Sequence, residues 1–290
     1  MKGMLCVITG ATSGIGQATA WALAALGADL VLLGRNESRG KATMANITRL
    51  PNAGSVEFHR IDLAEHDDVH RTATAILQRQ RPIDVLINNA GARYDHYQQN
   101  AAGRELTFAT NHLGHFLLTG LLIDQITAAD QGRIITVSSG SHGGAVADGQ
   151  WEMTSGNYDR KQAYAKSKLA NILFAHELAR RLTGTRALSC AFDPGGVASN
   201  FARNNGLLSW SKHLVSHALR RELITPQTAA QALVHLLTGS PVSMVNGGYY
   251  HRTKSASSSP ASHDRASAGT LWALSLALTG LTKIQGIYAG

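Results

Sequence analysis

The strongest constraint in this chain is a regular exchange between two periodicities. Short β-rich runs at 4–9, 29–33, 55–59, 84–87, 133–137, 186–192 and 247–251 alternate with helical patterns at 15–26, 37–49, 66–80, 104–127, 158–182 and 226–238. Runs such as Leu5-Cys6-Val7-Ile8 and Val85-Leu86-Ile87 are apolar at every position, the pattern of strands covered on both faces. Alternation of such strands with helices builds βαβ units with right-handed crossovers. The expected fold class is α/β: a doubly wound, Rossmann-type parallel sheet with helices on both faces, in a single domain. The first helix is expected to pack through Ile15, Ala18, Ala22 and Leu26.

Three segments interrupt the alternation. Residues 139–157 are rich in Gly, Ser and Asp. Residues 194–225 form a long connection carrying Phe201, Leu207, Leu208, Trp210 and Leu214, and read as a substrate lid. Residues 252–267 are polar and low in complexity, a flexible or surface-tracking link to a last helix at 268–281. The organisation expected is therefore a catalytic domain at 1–251, followed by a polar connection and C-terminal helix at 252–290. Trp272, Leu274, Leu278 and Leu281 give that helix an apolar face, expected first to pack on the domain and second to meet a membrane surface or a partner.

Composition excludes several classes of function. A hydrophobic share of 44% is that of a globular chain. Two cysteines, Cys6 and Cys190, cannot staple a secreted mini-fold and point to a reducing compartment. No apolar run escapes interruption by charges or turn residues, so no transmembrane anchor is expected. The chain enters its first strand at once, without an address segment, which points to the cytoplasm. The net charge of +8 comes with only 16% charged residues and no basic run, so nucleic acid is not an expected partner. His112 and His115 lie three apart but lack the carboxylate or thiol company of a metal site, and no metal is expected.

The chemistry is carried by motifs at the strand ends. Gly10, Thr12, Ser13, Gly14, Ile15 and Gly16 lie in the turn from the first strand into the first helix. Glycines there allow a tight turn, a close approach of pyrophosphate and a close helix–strand contact, and the helix N-terminus offers N–H groups to phosphates. Asn88-Asn89-Ala90-Gly91 follows the fourth strand and suits a turn that brings backbone back to a bound cofactor. Ser138 and Ser139 end the fifth strand, where a hydroxyl can donate to a substrate carbonyl. Tyr164 and Lys168 are four apart on helix 158–182 and share a face. An ammonium beside a phenol lowers the phenol pKa from about 10 and makes it a usable acid and base. Asn111 and Gly114 stand inside a helix that neither favours, a local violation that marks a site.

Taken together and in this order, these motifs resemble the short-chain dehydrogenase/reductase family over about residues 4–250. The stretch Asn111-His-Leu-Gly-His-Phe and the run Tyr164-Ala-Lys-Ser-Lys-Leu-Ala-Asn171 resemble its retinol-dehydrogenase-like branch. The resemblance implies a catalytic set of Asn111, Ser139, Tyr164 and Lys168. Tyr164 is then the general acid and base, Lys168 its activator and a ribose ligand, and Ser139 the carbonyl-polarising hydroxyl. Asn111 kinks its helix and holds a relay water. The resemblance also implies cofactor contacts at Asp62, Leu63, Asn88, Ala90, Gly91, Pro194, Gly195, Val197 and Ser199, besides the glycine turn. Where relatives carry His before Pro-Gly, this chain has Asp193.

The second strand ends in Leu33-Gly34-Arg35-Asn36. It lacks the carboxylate that would bind a ribose 2′-OH, whereas Arg35 can pair with a 2′-phosphate. The expected cofactor is NADP(H), and Gly34→Asp with loss of Arg35 should favour NAD. The implied reaction is hydride transfer between the nicotinamide and a carbonyl or secondary alcohol on an apolar or aromatic small molecule. Arg203, Lys212 and Arg220 leave room for an anionic group on it. The resemblance further implies homodimers or homotetramers built on helices 104–127 and 158–182. Two other functions stay open on the residues alone: isomerase or cyclase chemistry on the same fold, and an NADP(H)-binding sensor or scaffold.

Overall fold

A computed structural model describes residues 1–197, 223–239 and 244–284. Strands β1 (Leu5–Thr9), β2 (Asp29–Gly34), β3 (Val56–Arg60), β4 (Val85–Asn88), β5 (Arg133–Val137), β6 (Leu188–Asp193), β7 (Tyr249–His251) and β8 (Lys254–Ser255) form one sheet in the order β3-β2-β1-β4-β5-β6-β7-β8. Every pairing is parallel except β7 with β8. The order reverses between β1 and β4, which places the ligand-binding crevice of a doubly wound sheet outside the carboxyl ends of those strands. The single-domain α/β fold read from the sequence is the one observed.

Strand alternation explains the two-sided core. Leu5 and Val7 face one layer with Val31, Leu33, Phe116, Leu122 and Leu178, while Cys6 and Ile8 face the other with Leu23, Leu30, Leu32 and Leu233. Helices α1 (Gly14–Ala25), α2 (Glu37–Ile47) and α7 (Pro226–Thr238) cover the second layer; α3 (His66–Leu77) and α5 (Gly114–Thr127) cover the first. The buried face of α1 is Gly16, Thr19, Ala20, Leu23 and Ala24, displaced from the expected one, and Leu26 is exposed. Gly16 sets this rotation, because a Cβ there would lie 2.5 Å from the Gly10 carbonyl oxygen.

The helix expected at 104–127 comprises a short α4 (Leu106–Phe108), a π turn (Ala109–Leu113) and α5. This continuous helix, Leu106–Thr127, is long and apolar enough to span a membrane by length and mean hydropathy (1.2), contrary to the reading of interrupted runs. It is a core helix all the same, with 83% of that window buried.

The segments expected to be irregular are partly ordered. A 3-10 turn forms at Gly140–Gly144. Lys166, on α6 (Arg160–Arg181), pins the following loop by donating to Asp148 at 2.9 Å and to the Gln150 carbonyl at 2.6 Å, and Trp151 is buried. The polar stretch at 252–267 holds β8 and a 3-10 turn at Pro260–His263, and α8 (Arg265–Thr279) begins earlier than its apolar pattern. His142 Nε2 accepts from the Ser259 N–H at 3.0 Å, and His176 Nδ1 lies 3.0 Å from the Ser262 carbonyl, so the stretch is fixed to the body. Trp272 of α8 then packs on Phe116 (5.0 Å between centroids) and Phe174 (6.0 Å), under the Arg181 guanidinium.

Candidate active site

A cleft of about 1060 Å³ opens over the carboxyl ends of the strands. One end is the turn after β1. Gly10 (φ +69°) and Gly14 (φ +56°) occupy the left-handed region that glycine tolerates. A Cβ on Gly10 would sit 2.9 Å from Ala90 Cα, so the glycine is also a requirement of packing. Ser13 precedes α1 without capping it, which leaves the first-turn N–H groups without a side-chain acceptor beside cleft-lining Gly14 and Ile15. Gly16 lies behind the cleft wall in the helix–strand contact.

The turn after β4 is tied to this one through Thr9. The Asn89 and Ala90 N–H groups both donate to Thr9 Oγ1 at 2.9 Å, and Asn89 Nδ2 donates to the Thr9 carbonyl at 2.8 Å. Asn88, expected to touch cofactor, does not reach the cleft. It is the last residue of β4, fully buried, and its Nδ2 donates to Thr119 Oγ1 at 3.0 Å. Its neighbour Asn89 lines the cleft with Ala90 and Gly91. Strand alternation carried that signal: consecutive side chains point to opposite faces, and only one of the two asparagines can face the opening.

At the end of β2, Gly34, Arg35 and Asn36 line the cleft with Arg39 of α2, which the motif reading missed. Both guanidinium groups are exposed, and Arg35 Nη1 makes a long hydrogen bond to the Tyr94 hydroxyl at 3.4 Å. Asp62 and Leu63, after β3, also line the wall. Pro194, Gly195 and Val197 line the far end after β6. Ser199 and most of the expected lid, including Phe201, Arg203, Leu207, Leu208, Trp210, Lys212, Leu214 and Arg220, lie outside the described residues.

Ser139, Tyr164 and Lys168 meet at the centre. The adjacent serines divide their work: Ser138 is buried and donates to the Lys168 carbonyl at 2.8 Å, whereas Ser139 is partly open to the cleft and hydrogen-bonded to Tyr164. Lys168 Nζ lies 5.7 Å from the Tyr164 ring centroid and donates to the Val137 carbonyl at 3.0 Å. Asn111 stands behind this group and off the cleft wall. Its Oδ1 accepts from Ala92 N–H at 2.7 Å, and its Nδ2 donates to the Ala92 carbonyl and to Ser167 Oγ, both at 2.9 Å. The helix around it is the π turn, the irregularity that a misplaced Asn and Gly signalled.

The electrostatics differ from the sequence expectation in one respect. Burial pushes the Tyr164 phenol up to about 12, against the downward pull of the Ser139 hydrogen bond and of Arg93. Burial likewise holds Lys168 down, to about 8. The Asp193 carboxylate raises both. His112 and His115 are buried and held down to about 3 and about 4, hence neutral. His115 bridges Thr9 Oγ1 (2.9 Å) and the Asn111 carbonyl (3.0 Å), a structural role, and no metal-ligating cluster occurs among the described residues.

The short chain dehydrogenase family pattern matches residues 5–207. Human retinol dehydrogenase 13 is 33% identical over 284 residues, covering 97% of this chain and 86% of that protein. Human retinol dehydrogenase 14 is 33% identical over 296 residues, covering 98% of this chain and 88% of that protein. The chain belongs to the short-chain dehydrogenase/reductase family. Within it, the chain falls in the retinol-dehydrogenase-like branch. The crystal structure of an uncharacterised protein from Mycobacterium paratuberculosis superposes with a TM-score of 0.76 at 31% identity, covering 96% of this chain and 94% of that one. Membership makes this short-chain dehydrogenase/reductase a hydride-transferring oxidoreductase that takes a nicotinamide dinucleotide. Its own residues fit that group: the cradle at Gly10 excludes a Cβ, the start of α1 is uncapped, and the cleft runs unbroken from Gly14 to Tyr164.

Proposed function

We propose that this protein is an NADP(H)-dependent enzyme interconverting a carbonyl group and a secondary alcohol on an apolar or aromatic small molecule. The observation that carries the reading is the convergence of Ser139, Tyr164 and Lys168 on one cleft with the glycine turn, with Arg35 and Arg39 beside the end of β2 where an NAD enzyme would place an acid. The bound nicotinamide supplies or accepts the hydride. Tyr164 gives its phenolic proton to the carbonyl oxygen in reduction and takes it back in oxidation. Ser139 donates a hydrogen bond to that same oxygen and orients it. Lys168 supplies positive charge behind the phenol and a donor toward the ribose. Asn111 positions these groups by fixing the π turn to Ala92 and Ser167. The remaining cofactor contacts are assigned to Thr12, Ser13, Gly14, Ile15, Asp62, Leu63, Asn89, Ala90, Gly91, Pro194, Gly195, Val197 and Ser199.

We assign the chemistry to residues 1–251, with 194–225 as the lid, and read 252–290 as a C-terminal cover. The reading places the enzyme in the cytoplasm; the one span-like helix among the described residues is committed to the core. Homodimers or homotetramers on the long helices would have to dock beside α8, which already covers Phe116 and Phe174. Tyr164→Phe tests the reading. NADPH-dependent reduction of aryl ketones should fall by about 100-fold or more, while the NADPH dissociation constant measured by calorimetry stays the same. Retained turnover would remove the proton-transfer role.

A further inference from the structure

The hairpin joining β7 to β8 turns over Arg252 and Thr253. Two-residue hairpins call for positive φ at the first turn position and favour Gly, Asn or Asp there. Arg252 holds φ +55°, one of two non-glycine residues at positive φ among those described. A long side chain kept in an unfavourable backbone conformation implies a use for the side chain.

That side chain lines the cleft with Gly195, Gly196 and His251. It lies so close to Gly195 that a Cβ there would sit 3.0 Å from Arg252 Nε and 3.2 Å from Nη2. Nε is buried without a hydrogen-bond partner, and the guanidinium makes no ion pair with a described residue. The acids among the described lining residues are Asp62, at the opposite end, and Asp193. Asp193 is already occupied. Its Oδ1 accepts from the Gly195 N–H at 2.9 Å, and its Oδ2 accepts from the Tyr249 hydroxyl at 3.1 Å and lies 3.0 Å from His251 Nδ1. The Arg252 N–H donates to the Asp193 carbonyl at 2.8 Å, which fixes the hairpin to the end of β6 on the same wall. A second cation, Arg93, lines this half of the cleft. A half-buried guanidinium with a buried, unpartnered Nε and no ion pair to a described residue is an unfilled donor set whose planar fork suits an oxyanion.

We propose that Arg252 is an anion-binding residue at the Tyr164 end of the cleft, and that the carbonyl substrate carries a carboxylate-class group that it engages. The proposal rests on the carbonyl-reduction reading for its substrate but not for its site. The oxyanion could also be a cofactor phosphate, and the experiment separates the two sources. Acetophenone and 4-acetylbenzoate differ only in the carboxylate. In the full-length protein, kcat/KM should favour 4-acetylbenzoate, and Arg252→Met should abolish that preference by about 10-fold or more while leaving acetophenone and the NADPH dissociation constant unchanged.

Arg252→Asn keeps the turn and relieves its strain, so it should raise the melting temperature yet lose the same preference; this excludes misfolding as the cause. A rise in the NADPH dissociation constant with both ketones affected equally would give the site to a cofactor phosphate and overturn the substrate assignment. No change in either quantity would overturn the site itself. If the unmodified protein reduces neither ketone, the reductase reading fails separately. Calorimetric titration of 4-acetylbenzoate then still reads the site: binding that Arg252→Met removes supports it, and absence of binding to the unmodified protein overturns it.

Discussion

Cofactor choice offers the sharpest test of the site, because the relevant residues are few and their geometry constrains the variants. Arg35 and Arg39 flank the end of β2 and line the cleft, and both are exposed. A charge-assisted hydrogen bond contributes about 1.5–3 kcal/mol, whereas an exposed ion pair contributes about 0–1 kcal/mol. A 2′-phosphate carries nearly two charges but meets Arg35 at a solvated edge, so about 1.5–2 kcal/mol is expected for that contact. Arg35→Ala should therefore lower the preference for NADPH over NADH by about 10- to 30-fold. Asp at position 34 carries a steric cost: a Cβ on Gly34 would lie 2.6 Å from Thr12 Cγ2, so the Thr12 side chain would have to shift. The acid belongs at position 35. Arg35→Asp adds repulsion of about 1 kcal/mol per charge at 4 Å in water and supplies an acceptor for a free 2′-OH, for a shift of about 3 kcal/mol, or roughly 150-fold. Dissociation constants for NADPH and NADH, measured by calorimetry at two salt concentrations, check both values. Tighter binding of NADH by the unmodified protein, or an unchanged ratio in Arg35→Ala, would refute the assignment.

Two further outcomes follow from packing and burial. Lys168 is held at about 8 in the fold against 10.5 in the unfolded chain. Below pH 8 both states carry the proton and the buried charge opposes folding; from about 8 to about 10.5 only the unfolded state keeps it, so stability rises with pH in that window. The stability advantage of Lys168→Met over the unmodified protein should then shrink by on the order of 3 kcal/mol between pH 7 and pH 10 in urea titrations, and a constant difference would contradict desolvation of the ammonium. Trp272→Ala should cost about 3–5 kcal/mol of unfolding free energy without weakening NADPH binding, since the ring packs on Phe116 and Phe174 away from the cleft. A loss below about 1 kcal/mol would mean that α8 is not part of the cooperative unit.

The centre of the sheet was legible because both faces are buried, so that β1, β2 and β4 announced themselves as apolar runs, whereas the less buried edge strand β3 alternates with polar residues and the exposed β8 carried no such signal. The site was legible where one local pattern specifies it, as in the glycine turn and the four-residue spacing of Tyr164 and Lys168. What failed to show were features decided across long separations. Asn88 and Asn89 are chemically identical, and only the direction of β4 assigns one to the core and the other to the cleft. Lys166 and Lys168 are both buried on the same helix, yet Lys166 pairs with Asp148 and fixes a loop while Lys168 faces Tyr164. The polar stretch at 252–267 has the composition of a linker, and its order comes from hydrogen bonds to the His142 and His176 rings that composition does not reveal.

These cases share a physical logic that bears on how the site is held. Where a residue breaks a local preference in this chain, a long-range contact makes the breach worthwhile. Asn111 is a poor helix residue, and its three side-chain bonds to Ala92 and Ser167 compensate for the π turn that it occupies. Thr9 ends a buried strand with a hydroxyl, and that hydroxyl joins the turns at Gly10 and Asn89 through two N–H donors. Both residues also touch His115, whose neutral ring carries no charge into the surroundings of Lys168. The glycine turn, the Asn89 turn and the helix behind Tyr164 are thus one hydrogen-bonded unit. A variant at His115 should consequently disturb the dinucleotide end and the proton-transfer end together, although the imidazole lines neither.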